Sequence, residues 1–180
     1  MKTNSKSIGN NWERDFCKLM NEWFTGDKES DVVWRDNSSG ARGTTRQKRG
    51  KVSYKNGDIV ANHRDYEYWF ELFFVDTKTT KEANLMFINP KNQKSNFILK
   101  EWDKVNSECP DGMLPIMPVK VRDRKTPEFI LLPWNLIFNF RGRMSVEATV
   151  YPFHIMLLNE FFELNDKKKL YDMNYTGITD

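Results

Sequence analysis

The sequence predicts an α/β protein in which a mixed β-sheet is flanked by helices. Three observations predict it. Apolar residues recur at helical spacing near the start of the chain, several short apolar runs bounded by turn residues read as strands, and a second amphipathic segment lies between the first strands and the last. A length of 180 residues suits one domain.

Residues 1–8 read as a mobile polar arm. Asn10 or Asn11 can cap a helix from about Trp12 to Phe24, in which Trp12, Phe16, Leu19, Met20 and Trp23 fall near helical spacing, and Gly26 is its stop. Val32 to Arg35 reads as a short strand, and Asn37 to Lys51 as a loop rich in Gly, Ser and Arg. Strands are expected at 57–62 and 68–78, joined by the polar segment His63 to Glu67. Lys94 to Ser107 reads as a helix that covers the sheet with Phe97, Leu99 and Trp102. Cys109 to Gly112 is a turn. Two further strands, Leu114 to Arg122 and Glu128 to Pro133, flank the charged turn Asp123 to Lys125, and Pro118 marks an edge or an irregularity. Phe153 to Leu164 reads as a helix, and the residues from Asp166 onward as a frayed end.

Hydrophobic residues make up 39% of the chain, charged residues 29% and aromatic residues 14%, the profile of a soluble globular protein whose modest core can still bury much area. The net charge of +3 says little, but its distribution says more. Between Asn37 and Gly57 there is no acidic residue, while Arg42, Arg46, Lys48, Arg49, Lys51 and Lys55 fall there. Such a run suits a polyanion. The two cysteines, Cys17 and Cys109, read as free thiols in a reducing compartment. The polar N-terminus lacks the apolar stretch of a signal peptide, and no apolar run is long enough to span a membrane.

The most informative residues are Asp58 and the triplet Asp76-Thr77-Lys78. Residues two apart on a strand share a face, so Asp76 and Lys78 project together and Asp58 can join them from a neighbouring strand. Two carboxylates and an ammonium at one place are costly unless a divalent cation and a phosphate belong there. Mg²⁺ prefers one or two carboxylates with water and phosphate oxygens, and an adjacent lysine can orient the attacking water. The alternative is a pair of solvent-facing carboxylates at strand ends. Glu13, taken alone, is an ordinary first-turn glutamate. Arg35 and the segment Ser38-Ser39-Gly40-Ala41-Arg42-Gly43 suit phosphate recognition, or else form a solvated loop. Lys94, Lys100 and Lys104 can touch a DNA backbone. Arg141, Arg143 and Lys167 to Lys169 read as solvated charges, and His63 and His154 have no assigned role.

Together these segments resemble the PD-(D/E)xK nuclease superfamily, and within it the Holliday-junction resolvases of the archaeal type and their phage relatives. The resemblance covers roughly residues 7–133. It rests on Gly9 to Arg14 in the first helix, Arg35 with Ser39-Gly40, Asp58 on the second strand, Asp76-Thr77-Lys78 on the third, and the helix and two strands that follow. It implies a restriction-endonuclease-like sheet and a structure-selective DNA endonuclease that cuts four-way junctions as a homodimer. Asp58, Asp76, the Thr77 carbonyl and Glu13 would hold Mg²⁺, for which Mn²⁺ substitutes. Lys78 would position the water and Ser39 would lie near the scissile phosphate. Arg35, Arg42, Arg46, Lys48, Arg49 and Lys51 would grip DNA. A duplex-cutting nuclease of the same superfamily, a non-catalytic DNA-binding protein on the same fold, and an unrelated α/β interaction module that matches the motif by accident are the other readings. Three departures are clear: Gly57 stands where the motif has proline, Asp76 where glutamate is commoner, and the connection between Asp58 and Asp76 is longer than the minimal hairpin. The segment from about 134 to 180 is an extension of this single domain, and Phe153, Ile155, Met156, Leu157, Leu158, Phe161 and Phe162 offer apolar surface for dimerisation. A cytoplasmic setting in a prokaryote or a phage-infected cell fits these features.

Overall fold

A long N-terminal helix forms because one face of it is almost wholly apolar. In the computed structural model, which describes residues 5–36, 57–81, 96–123, 125–139, 144–146 and 152–175, helix α1 runs Ser5–Thr25. Trp12, Phe16, Cys17, Met20 and Phe24 line its buried face. The helix starts well before Asn10, so Asn10 and Asn11 lie inside it rather than capping it, and residues 5–8 are helical rather than part of an arm. It ends at Gly26, whose φ of +82° is left-handed and whose N–H donates to the Glu22 carbonyl at 2.7 Å.

Strand β1 (Val33–Arg35) pairs antiparallel with β2 (Ile59–Ala61). A 3₁₀ turn at Arg64–Tyr66 leads into helix α2 (Glu67–Leu72), then β3 (Phe73–Val75) and β4 (Lys78–Thr80). The strand expected over 68–78 is thus helical in its first half. An uninterrupted apolar run reads equally as a strand or a buried helix, and packing decides. Trp69 sits edge-on to Phe24 at 5.7 Å and to Trp23 at 5.8 Å, and lies 4.4 Å from Phe73. Helical geometry lets one residue reach α1 and the sheet at once.

Helix α3 (Phe97–Glu108) is capped by Asn96, whose side chain accepts from the N–H groups of Ile98 and Leu99. Trp102 is fully buried and lies 5.3 Å from Phe153. Leu99 is buried as expected, but Phe97 is exposed. After the turn at Gly112, which has a φ of +82°, come β5 (Leu114–Val121) and β6 (Phe129–Pro133).

β5 runs through the middle of the main sheet, parallel to β3 and β4 on one side and antiparallel to β6 on the other. Pro118 is therefore central, not at an edge. Its tolerance has a local reason. The Ile116 carbonyl accepts from Asp76, so it faces the β3–β4 side, and Pro118, two residues on, turns its nitrogen the same way. That places the missing donor opposite the break between β3 and β4, where no ladder bond is required.

The C-terminal part departs most from expectation. Strand β7 (Met144–Val146) pairs with β8 (Phe153–Leu157), which pairs with β6. Residues 153–157 are thus a sheet strand, and only α4 (Leu158–Leu164) is helical. Helix α5 (Lys167–Tyr175) replaces the expected fray and buries Leu170 and Asn174. Phe153, Ile155, Met156, Leu158 and Phe161 are all buried and Phe162 packs on the core, so the surface read as a dimer contact is used inside the protomer; Leu157 alone of the set is exposed.

The result is a mixed sheet between two helical layers. Alternation along the strands separates two cores. Phe73, Val75, Ile116, Ile130 and Leu132 face α1, α2 and α4, whereas Phe74, Met117, Val119, Phe129 and Leu131 face α3. Among the described residues no helix is long and apolar enough to cross a membrane.

Candidate functional site

The site forms where the edge of the sheet is interrupted. Val75 ends β3 and Lys78 begins β4, leaving Asp76 and Thr77 between them. The Asp76 N–H still donates to the Ile116 carbonyl at 3.0 Å, which ties the break to β5. Asp58 arrives from the other side. Its N–H donates to the Val75 carbonyl at 2.8 Å, and its carbonyl accepts from the Asp36 N–H at 2.7 Å. This approach needs a glycine before it: a Cβ on Gly57 would lie 2.0 Å from the Val75 carbonyl oxygen. Any residue with a Cβ there, proline included, would meet that carbonyl, so this backbone contact selects glycine at position 57.

Asp58 Oδ2 accepts from the Thr77 N–H at 3.0 Å and lies 3.4 Å from the Thr77 hydroxyl. Asp76 and Thr77 are buried. Lys78 Nζ is paired directly with Asp76 Oδ1, and Glu101 Oε2 from α3 lies 4.0 Å from the same ammonium. Asp58, Asp76, Thr77 and Lys78 are thus gathered at one place, the triplet by its spacing and Asp58 by its backbone contact with Val75.

Burial pushes the Asp58 carboxyl up to about 8, and the adjoining Asp76 carboxylate, its hydrogen bond to Asp58 and the more distant Glu13 add to the rise, opposed by Lys78. Burial works the other way on Lys78, but Asp76, Asp58 and Glu101 outweigh it and the ammonium is held above its ordinary value. Two carboxylates thus share one ammonium, and burial beside Asp76 favours the protonated form of Asp58. Such a donor set fits a hard divalent cation, which one or two carboxylates suffice to anchor. Among the described residues no group of three or more His, Cys, Asp or Glu side chains is gathered as a metal cage.

Glu13 and Arg35 are engaged with each other. Arg35 Nε lies 2.8 Å from Glu13 Oε2, and each side chain is only 18% exposed. The structure therefore puts Glu13 within electrostatic range of Asp58 but in an ion pair, and Arg35 beside α1 rather than free on the surface. Ser39, Gly40, Arg42, Arg46, Lys48, Arg49, Lys51 and Lys55 lie outside the described residues, as do Lys94, Arg141 and Arg143. Lys100 and Lys104 are exposed on α3. Lys167 donates to the Trp23 carbonyl at 3.0 Å, so it ties α5 to α1 rather than standing free, while Lys168 pairs with Asp172 at 2.6 Å. His154 is buried and stacks on Trp134 at 4.7 Å.

Glu101 is the site residue the sequence reading missed. The segment Lys100-Glu101-Trp102-Asp103-Lys104 draws notice for its lysines, and a single helical glutamate has no pattern to mark it. The one available signal is its helical spacing: Glu101 follows the buried Ile98 by three residues and precedes the buried Val105 by four, which sets it at the border of the face that packs on the sheet. Comparison with family models, with curated proteins and with solved structures found no match to this chain.

Proposed function

We propose that this protein is a Mg²⁺-dependent, structure-selective DNA endonuclease that resolves four-way (Holliday) junctions on a restriction-endonuclease-like fold. The observation that carries the reading is the convergence of Asp58, Asp76 and Lys78 at the break between β3 and β4. The order of elements from α1 to β6 follows the order that the family resemblance implies, except that helix α2 precedes the third strand and that strand is broken into β3 and β4. Asp58 and Asp76 would hold the cation, Mg²⁺ or in its place Mn²⁺, with the Thr77 carbonyl as a further donor and Glu13 behind them. A cation bound there supplies Lewis acidity and positive charge at a phosphodiester.

The chain's own groups do the rest. The two carboxylates bind, and the Thr77 N–H fixes the orientation of Asp58. Lys78 holds a proton-donating ammonium at the same spot, where it can orient a water or a phosphate oxygen. Ser39 would stand near the scissile phosphate. Arg35, Arg42, Arg46, Lys48, Arg49 and Lys51 would neutralise backbone phosphates without reading bases. Symmetric cleavage of a junction requires two such sites, so the active species in this reading is a homodimer. The free thiols of Cys17 and Cys109 and the DNA substrate fit the cytoplasm of a prokaryote or a phage-infected cell.

The test is cleavage of a labelled four-way junction and of the matching linear duplex, with Mg²⁺ or EDTA, by wild type and Asp58→Asn. Paired Mg²⁺-dependent nicks in the junction alone, absent from the variant, are expected. Cutting of the duplex as well would replace the resolvase reading with a general nuclease. Tight junction binding without cleavage would replace it with a non-catalytic binder.

A further inference from the structure

Lys78 is flanked by two carboxylates from different elements. Asp76, two residues before it, takes the ammonium directly, and Glu101 waits 4.0 Å away on α3. The three side chains are little exposed, at 16% for Lys78, 9% for Asp76 and 23% for Glu101. An ammonium this buried is not left unpaired without a large penalty. Yet the proposed function gives Asp76 a second claimant, because the same carboxylate would hold the cation.

We propose that Glu101 is the second seat of the Lys78 ammonium: when a divalent cation takes Asp76, Lys78 moves onto Glu101 and stays in the site. This rests on the metal-binding part of the proposed function and adds a positioning residue to it. The move is small. Closing 4.0 Å to the usual length of a charge-assisted hydrogen bond is a shift of roughly 1 Å, within reach of side-chain torsions alone. Glu101 can serve because its backbone is fixed: Leu99 and Trp102 on the same helix are buried against β5, β6 and β8. Without it, Lys78 would remain on Asp76 and compete with the incoming cation. With it, the cation displaces a side chain that has somewhere to go, and the ammonium ends beside the cation rather than in its place.

The experiment is Mn²⁺ binding to the full chain, read from the free-ion electron paramagnetic resonance signal, for wild type, Glu101→Gln, Lys78→Met and the double variant, each checked for its thermal transition. Glu101→Gln is expected to weaken Mn²⁺ binding by about tenfold, the size of one charge-assisted hydrogen bond. Glu101→Asp should recover part of that loss. In the Lys78→Met background, which has no ammonium to reseat, Glu101→Gln should change affinity by less than about twofold. An equal loss in both backgrounds would make Glu101 a metal donor and overturn the proposal. Unchanged binding by Glu101→Gln in the wild-type background would overturn it too, with the nuclease reading intact. Absence of Mn²⁺ binding by wild type would remove both together.

Discussion

Gly57 lies flat against Val75, so close that a Cβ on the glycine would sit 2.0 Å from the Val75 carbonyl oxygen and 2.7 Å from the carbonyl carbon. The neighbour is backbone at the end of β3 and cannot swing aside as a side chain would. The contact holds the next residue, Asp58, against Thr77 and Asp76. Gly57→Ala is therefore expected to destabilise the fold by about 1–3 kcal/mol, as overpacking does. It should also weaken divalent-ion binding more than the stability loss alone explains, because Asp58 is displaced. Chemical denaturation together with Mn²⁺ titration tests this, and a variant with wild-type stability would show that β2 and β3 can separate freely.

The carboxylate pair makes the stability of the metal-free protein depend on pH in a defined direction. The folded-state pKa of Asp58 is about 8, above the value of about 3.9 for an unfolded aspartate. Between these values the folded state binds the additional proton, so stability is highest at the acidic end and declines as pH rises through the window. Asp58→Asn keeps an acceptor for the Thr77 N–H and offers Asp76 a permanent donor. In EDTA it should unfold above wild type at pH 8, by about 1–3 kcal/mol, with a smaller advantage at pH 5. Calorimetry at the two pH values decides it: an advantage equal at both would mean that Asp58 does not titrate in this range. Added Mg²⁺ should stabilise wild type and leave the variant unchanged.

Two asparagines hold the segment after β6 in place. The Asn174 side chain accepts from the Ile137 N–H at 2.8 Å and donates to the carbonyls of Ile137 and Leu170, both at 2.8 Å. Asn165 does the same for Asn139, accepting its N–H at 2.7 Å and donating to its carbonyl at 3.1 Å. Each asparagine supplies the pairing that a neighbouring strand would. Removing one strands a backbone donor and a backbone acceptor, so Asn174→Ala should cost about 2–4 kcal/mol. Asn159→Ala, at an exposed position, should stay within about 0.5 kcal/mol of wild type. If the two substitutions cost the same in urea denaturation, α5 is not anchored through Asn174.

These features explain which parts could be read from the residues. α3 and the strands β5 and β6 carry their own punctuation: an Asn cap, the turn at Gly112, and Asp123, whose side chain accepts from the N–H groups of Lys125 and Thr126. Asp76 and Lys78 were legible because strand alternation brings i and i+2 together even across the break at Thr77, and Asp58 because it follows a glycine at the head of a neighbouring apolar strand. The segments 68–72 and 153–157 misled in opposite directions for one reason. Both are apolar runs whose periodicity suits either structure, and their form is set by what covers them, Trp23 and Phe24 for the first, β6 and β7 for the second. α5 was hidden because its anchors are Leu170 and Asn174 amid charged residues, and an asparagine that caps a distant segment leaves no local signal.

The basic segment gives a prediction that depends on sequence alone. Arg42, Arg46, Lys48 and Arg49 fall within eight residues, with no acidic residue among them. If they contact DNA phosphates, each releases counterions on binding, and log Kd rises with log salt by about 0.9 per phosphate neutralised. Replacing all four with Gln should weaken binding to a four-way junction at low salt and reduce that slope by about 3–4. Fluorescence anisotropy in EDTA, which separates binding from cleavage, measures it across a salt series. A loss on linear duplex is expected as well, because phosphate contacts carry no sequence information. An unaltered slope would move the electrostatic contact to another surface, of which the exposed Lys100 and Lys104 face of α3, next to Glu101 and the site, is the nearest described.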